Sequence, residues 1–275
     1  MEGIVQIHTI EFSGEPIHPN LNQIWDCLAQ IPFESASNLM INFQLLLSVT
    51  TLAIVTGSNV SAQGSESALS LYLRREDPIA LANLHARAEQ NDKAAAYWLG
   101  EMYFKGEGVL QDHERAISFF HIAAEQGYGF AQEKLGFIYS SGTRVPQDYV
   151  EAAYWFRLSA EQGFAISQWQ LGLNYEKGRG VPQDYLEAIR LYLQSLENGV
   201  TVALGDLGLI YADGLGVEQN YVIAHMWLNL ATAAGWEEMR LSRNALESRM
   251  TPAQITEAQS LARECLAQNY KNCGR

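Results

Sequence analysis

The side chains that could carry out chemistry in this 275-residue chain do not fall into a catalytic motif. His113-Glu114 lacks the second histidine of an HExxH helix, which supplies two imidazoles to zinc from one helix face. No serine stands three residues before a lysine, and no GxxxxGK[ST] phosphate loop occurs. Gly106-Glu-Gly108 and Gly178-Arg-Gly180 follow no predicted strand, so they are interpreted as turns that end helices. We therefore predict a non-enzymatic protein without catalytic residues, cofactor or metal.

The three cysteines, Cys27, Cys265 and Cys273, show neither a CxxC pair nor the spacing of a zinc site. Cys265 and Cys273 lie eight residues apart near the C-terminus. In an exported protein they could form one disulfide that clamps the tail. Two unrelated thiols are the alternative.

The balance of charge limits the class of partner. The net charge is −13 and the pI is about 4.9. Such an acidic surface repels the phosphates of nucleic acids and of anionic membranes, although it also simply keeps a folded protein in solution. We therefore expect another protein or a peptide as the partner, and no nucleic acid.

An apolar run in the N-terminal part has the layout of a secretory signal peptide. Residues 1–62 contain no Lys or Arg, and the run Leu45–Val55 precedes a polar stretch that ends in Val60-Ser61-Ala62, a small-x-small cleavage site. The run is shorter than the roughly 20 residues that span a bilayer. We predict a signal peptide over 40–62 and a periplasmic or secreted mature chain without a transmembrane segment.

This prediction places the true translation start at Met40, so that residues 1–39 would be upstream sequence or disordered. The absence of a positively charged segment before the apolar run argues against it. The alternative is a buried strand or helix of a genuine N-terminal domain, in which case the protein would be cytoplasmic.

Residues 94–235 repeat with a period of 36. The Leu-Gly pair recurs at Leu99, Leu135, Leu171 and Leu207. Five further columns keep the same register over four copies, beginning at Tyr103, Gly106, Val109, Asp112 and Ala116. A fixed period of 20–50 residues indicates a solenoid or a similar array. His85 and His121 are also 36 residues apart, so they are interpreted as surface or seam residues.

Each copy predicts a first helix and a second helix joined by a short turn. Ala131, Leu135 and Tyr139 follow the i, i+4, i+8 spacing of one helix face, and Gly142 ends that helix in a left-handed conformation. Asp148 then caps the second helix. A glycine inside the first helix costs about 1 kcal/mol relative to alanine, so its recurrence after leucine predicts the close approach of an aromatic ring from the neighbouring helix.

The register continues in part beyond both ends of the repeats. After a linker over 63–78, residues 79–93 predict a helix that corresponds to the second helix of a repeat but has no first helix before it. We expect this helix to cap the N-terminal end. Residues 236–268 predict two C-terminal capping helices, followed by a tail over 269–275. Terminal units of solenoids are atypical because one of their faces meets water.

The columns resemble the Sel-one-like repeat (SLR) proteins, relatives of the tetratricopeptide (TPR) repeats. The copy at 165–200 carries the matching residues Leu171, Gly172, Tyr175, Gly178, Gly180, Val181, Asp184 and Ala188. Arg144 departs from the pattern because it replaces the second glycine of the turn. The resemblance implies an all-α, right-handed α-solenoid of TPR-like helix-turn-helix repeats, whose first helices line a concave face.

The positions that vary between copies should determine the partner. The predicted concave side shows Tyr97, Glu101, Phe104, Phe137, Trp169, Leu173 and Glu176. Aromatic rings beside carboxylates could hold a helix or an extended peptide, although several of these side chains could instead pack against adjacent helices. The resemblance implies an adaptor for another protein. The alternatives are a β-lactam-binding or weakly β-lactam-hydrolysing protein, as described for some relatives, and a structural spacer.

Overall fold

The computed structural model describes residues 67–271, 273 and 274. Residues 1–66 lie outside this part, and with them lie Cys27, the predicted signal peptide and the predicted cleavage site. All regular secondary structure of the described residues is α-helical, which confirms the predicted all-α class. None of these helices combines the length and the hydrophobicity that crossing a membrane requires.

The described part of the chain forms twelve helices that follow one another with short connections. They are α1 (Ala68–Leu73), α2 (Pro78–Glu89), α3 (Lys93–Lys105), α4 (His113–Glu125), α5 (Gly129–Ser141), α6 (Tyr149–Glu161), α7 (Ala165–Lys177), α8 (Tyr185–Glu197), α9 (Ala203–Asp213), α10 (Tyr221–Ala233), α11 (Met239–Glu247) and α12 (Pro252–Ala267).

Four helix pairs correspond to the four copies of the repeat. The first helices are α3, α5, α7 and α9, and the second helices are α4, α6, α8 and α10. Each second helix packs on the first helix of its own pair and, for the first three pairs, on the first helix of the next pair. Since each pair covers the apolar side of its neighbour, the pairs stack into a solenoid with a core running along its length, as predicted.

The recurring turn residues fix the angle between the two helices of each pair. The first helices end at left-handed glycines, which are Gly106, Gly142, Gly178 and Gly214. The second helices begin at side chains that accept backbone N–H groups, which are Asp112, Asp148, Asp184 and Asn220. Each of these capping residues also donates its own backbone N–H to the carbonyl of the tyrosine nine positions earlier, at 2.9–3.0 Å. These bonds explain why the Tyr and Asp/Asn columns keep a constant spacing.

The glycine after leucine in each first helix lies against a large side chain of the second helix of the same pair, as predicted. A Cβ atom on Gly100, Gly136 or Gly172 would lie 2.6–2.7 Å from the ring of Phe120, Phe156 or Tyr192 respectively. In the fourth copy, Gly208 faces an aliphatic side chain instead. The glycine therefore lets the two helices approach more closely than any other residue would allow.

The N-terminal end differs from the expectation, because the stretch assigned to a linker contains helix α1. The Ser67 side chain caps this helix, and Leu71 and Tyr72 are buried against the following helices. The Tyr72 ring stacks on Trp98 of α3 at 4.4 Å between centroids. Helix α2 is therefore not a lone capping helix. The six residues of α1 are too few to show a helical period in the sequence.

Two helices, α11 and α12, follow the fourth pair at the C-terminal end. Helix α12 begins with a capping box formed by Thr251 and Gln254. Cys265 near the end of α12 is joined to Cys273 by a disulfide, with 5.3 Å between the Cα atoms. Beyond it, the carbonyl of Gly274 accepts a hydrogen bond from the Tyr211 hydroxyl at 3.3 Å. Gly274 therefore lies against the fourth repeat.

Candidate functional site

The side of the first helices that points away from the buried core carries a row of exposed apolar side chains. Phe130 and Phe137 on α5 are 52% and 36% exposed, Ile166 on α7 is 44% exposed, and Leu209 on α9 is 39% exposed. Leu173 on α7 is half-buried beside them. We call this side the first-helix face, and these five residues the apolar stripe. They occupy only two positions of the repeat, seven residues apart, and therefore lie on the same side of each helix.

Two of these residues, Phe137 and Leu173, were predicted as contact residues, whereas the other three were not. Phe130 and Ile166 precede the predicted pair by seven residues, which is two helical turns. Leu209 follows Leu173 by one repeat. Both spacings were visible in the sequence, and combining the period of 36 with the helical period would have identified the whole stripe.

Tyr97 lies at the N-terminal end of this face and is partly buried by other rings. Its ring centroid is 5.1 Å from that of Tyr128 and 6.2 Å from that of Phe130, and Phe130 in turn contacts Phe164 at 4.8 Å. Burial raises the pKa of Tyr97 well above its ordinary value, so its hydroxyl stays neutral. Tyr97 therefore supports the apolar stripe from one side.

Glu101 does not reach the surface, contrary to expectation. Only 4% of the residue is exposed, because Lys105 and Lys134 cover it with ion pairs of 2.8 and 2.7 Å. Burial by itself raises the pKa of Glu101, but the hydrogen bonds from the two lysines outweigh it and hold this pKa below its ordinary value. Glu101 is thus an internal counter-ion that links α3 to α5.

Phe104 lies beside the same ion pairs and is surrounded by cations. The Lys134 ammonium is 4.5 Å from the centroid of its ring, and the Arg144 guanidinium carbon is 5.9 Å from it. Both distances allow a cation–π contact. The N-terminal end of the first-helix face is therefore aromatic and positively charged.

The C-terminal end of this face has the opposite charge. Trp169 on α7 donates its indole N–H to Asp206 on α9 at 2.8 Å, and Glu176 accepts a hydrogen bond from the Tyr192 hydroxyl at 2.6 Å. Glu176 also forms an ion pair with Lys177. Burial raises the pKa of Asp206 to about 6, and the nearby Glu176 carboxylate adds to this rise. The Trp169 hydrogen bond opposes the rise without cancelling it.

The raised pKa of Asp206 predicts a pH-dependent stability. Because the folded state favours the protonated carboxyl, its contribution is present at low pH and is lost as the pH rises from about 4 through about 6. Asp206→Asn keeps an acceptor for Trp169 but does not titrate. Between pH 4.5 and 7.5 we expect wild type to lose about 2 kcal/mol of unfolding free energy relative to this variant. Urea denaturation at several pH values measures the difference, and a constant difference would contradict the assignment.

The structure thus gathers the predicted contact residues into two groups. Tyr97, Glu101 and Phe104 lie on α3, and Trp169, Leu173 and Glu176 lie on α7. Phe137 lies on α5, between the two helices. The structure adds Lys134, Arg144 and Asp206, which sequence reasoning did not select because their importance comes from contacts with other helices.

The second helices carry two shallow grooves that repeat the same arrangement. One groove, of about 470 Å³, lies beside His85 and Tyr103, and the other, of about 300 Å³, lies beside Arg157 and Tyr175. In both, the basic side chain approaches the tyrosine hydroxyl, at 3.5 and 3.2 Å respectively. His121 makes the equivalent contact in the copy between them. These histidines are seam residues, as predicted.

Metal ligands do not converge at any of these places. Across residues 67–271, 273 and 274, no cluster of three or more His, Cys, Asp or Glu side chains could hold a metal ion.

Comparison with known proteins gives a consistent result. The sequence model of the Sel1 repeat family matches residues 93–128, 129–164, 165–200 and 201–236. A solved protective antigen from uropathogenic Escherichia coli strains, which displays an SLR fold, is similar at 31% identity and a TM-score of 0.61. The match covers 74% of this chain and 50% of the antigen, so this chain spans half the length of that protein.

A solved Sel1 repeat protein from Oxalobacter formigenes is also similar, at 29% identity and a TM-score of 0.61. That match covers 70% of this chain and 83% of the Oxalobacter protein. No curated protein matches the chain.

Proposed function

Because the chain belongs to the Sel1 repeat family, we propose that it is a scaffold that binds another protein along its first-helix face. The family agrees with the one that the repeat columns indicated. Sel1 repeats generally mediate protein–protein interactions, and their solenoid fold is typically non-catalytic.

The observation that carries the proposal is the apolar stripe. Its side chains occupy both repeat positions on α5 and α7 and one of them on α9, and all of them remain exposed or half-exposed. Apolar side chains that are aligned on neighbouring elements and rimmed by charged residues mark an interaction site more often than scattered ones do. A partner helix or extended segment laid across α5, α7 and α9 would cover them together.

The phenylalanine side chains of the apolar stripe are held in place by neighbouring aromatic rings, which suits this face to binding. The ring of Phe137 packs edge-on against Phe156 at 5.2 Å, and Phe130 is held between Tyr97, Tyr128 and Phe164. Side chains that are already ordered lose little conformational entropy when a partner binds. The stripe would therefore provide the central anchors of the interface, and the charged groups at its ends would form the rim.

We further propose that the protein is exported. The apolar run before Ala62 and the Cys265–Cys273 disulfide support this, because disulfides persist mainly in oxidising compartments. N-terminal sequencing of the native protein tests export, and a mature end at Gln63 is the expected result.

Site-specific photo-crosslinking in the native cell tests the proposed face. A photoreactive phenylalanine analogue at position 137 or 166 should crosslink to the same partner protein. The same analogue at Leu186, an exposed apolar position on second helix α8, should not. Crosslinking to a shared partner from all three positions, or from none, would count against the first-helix face.

Binding of the identified partner should then depend on the stripe. The triple variant Phe137→Ala, Ile166→Ala, Leu209→Ala should bind it at least about tenfold more weakly, because anchors of this kind dominate interface energies. The matched control removes three exposed apolar side chains from second helices, which are Ile122, Val150 and Leu186. Equal losses of affinity in both triple variants would contradict the proposal.

A further inference from the structure

We infer that the Phe104 end of the first-helix face receives an acidic side chain of the bound segment, between Lys134 and Arg144. The inference rests on the proposed function and adds the chemistry of the partner to it. The partner would carry an aspartate or glutamate at one end of its bound segment, followed by apolar side chains that cover the apolar stripe.

Arg144 is the first observation behind this inference, because it breaks the repeat. The equivalent residues Gly108, Gly180 and Gly216 have φ values of +74°, +71° and +68°. A Cβ atom on any of them would come within 2.5 Å of the preceding repeat or, for Gly108, of the turn between α1 and α2. Arg144 does not share this left-handed conformation, so the turn of the second copy takes a different path.

The altered turn brings the Arg144 guanidinium to the first-helix face. Its Cζ atom is 5.9 Å from the centroid of the Phe104 ring, and the residue is exposed. Among the described residues, Arg144 makes no ion pair with a carboxylate. Its charge is therefore available to a partner.

The positive charge around Phe104 is only partly compensated. Lys105, Lys134 and Arg144 contribute three positive charges, whereas Glu101 alone contacts the two lysines and is itself buried. The chain as a whole carries a net charge of −13. A positive, aromatic-lined end on such an acidic protein favours a carboxylate over other groups, because cations arranged around an apolar surface form stronger ion pairs than fully solvated ones.

The sign of the charge reverses along the face. Two repeats after Phe104 and Lys134, the equivalent positions hold Glu176 and Asp206. An acidic group of the partner would be attracted at the first end and repelled at the second. The two ends are two helix pairs apart, which at about 10 Å for each pair corresponds to about six residues of extended chain. The face therefore favours partner segments that carry an acidic residue, and it favours them with that residue at the Phe104 end.

Selection from a phage-displayed library of random 12-residue peptides on the purified chain tests this inference. Wild type should enrich peptides in which an Asp or Glu lies a few residues before or after a cluster of apolar side chains. Arg144→Gly should lose the acidic enrichment while still selecting apolar residues. It should bind a synthetic wild-type-selected peptide about tenfold more weakly, since the loss of one charged contact of this type costs about that factor.

The variant Arg144→Gly is chosen because it restores the residue of the other three copies, so the fold should tolerate it. Lys134→Met provides a second test within the helix. Arg263→Ala removes the same charge from an exposed position on α12 and should leave peptide affinity unchanged. Thermal unfolding of each variant shows whether the fold persists.

The outcomes separate this inference from the proposed function. If the apolar triple variant selects the same peptides as wild type, the first-helix face is not the binding site and both fail. If wild type selects apolar peptides without acidic enrichment, the function stands and this inference is wrong. If Arg263→Ala weakens binding as much as Arg144→Gly, the effect is one of net charge, and the assigned position is wrong.

Discussion

Replacing Gly136 by leucine is expected to destabilise the fold by about 3 kcal/mol or more. A Cβ atom alone would lie 2.6 Å from the Phe156 ring, and Phe156 is fully buried. The ring cannot retreat, because it is enclosed by the helices around it, so α5 and α6 must separate. Leucine has a higher helix propensity than glycine, but this gain of about 1 kcal/mol is smaller than the cost of overpacking.

Urea and thermal unfolding followed by circular dichroism measure this loss. Arg263→Leu introduces the same side chain at an exposed position in the middle of α12 and should change the midpoint little. The double variant Gly136→Ala, Phe156→Ala should be less destabilised than the sum of its single changes, because removing the ring makes room for the added methyl group. Additive single effects, or an unchanged midpoint for Gly136→Leu, would remove the close-approach explanation for the Leu-Gly column.

Gly180→Ala adds only one methyl group and is nevertheless expected to cost about 3 kcal/mol or more. The added Cβ would lie 1.9 Å from the backbone oxygen of Tyr149 in the preceding repeat. That oxygen belongs to the main chain and can move only if the two repeats shift apart. The φ of +71° at Gly180 adds the ordinary strain of a left-handed alanine.

Gly163→Ala separates these two contributions. Gly163 has a similarly left-handed φ of +87°, but a Cβ there would meet no atom within 4 Å. This control should therefore cost only the conformational strain, about 1 kcal/mol. The difference in unfolding free energy between the two variants measures the contact between neighbouring repeats. Equal losses in both would mean that the turn glycine is required for its conformation alone.

The second copy has a larger residue at this turn position. Arg144 is the equivalent of Gly180, and its backbone is not in the left-handed conformation. In this copy a guanidinium lies beside Phe104, which belongs to the preceding repeat. The irregular turn and the positive end of the first-helix face thus have a common origin.

The sequence by itself determined the helices and their order along residues 94–235. The ends of the first helices and the starts of the second helices depend on residues that act locally. Gly142 ends α5 because a left-handed residue is needed there, and Asp148 begins α6 because its side chain accepts the free N–H groups of the first turn. Since the same local rules recur every 36 residues, four copies made the pattern unambiguous.

Only the tertiary structure decided which side chains remain available on the first-helix face. Glu101 occupies the same repeat position as the exposed Phe137, yet it is buried because Lys134 reaches it from the next first helix. The hydrogen bond between Trp169 and Asp206 likewise joins two repeats. Such contacts connect residues more than thirty positions apart, and they depend on the distance and rotation between adjacent first helices. A period in the sequence records that the repeats are alike, whereas exposure at each position depends on the long side chains in which neighbouring repeats differ.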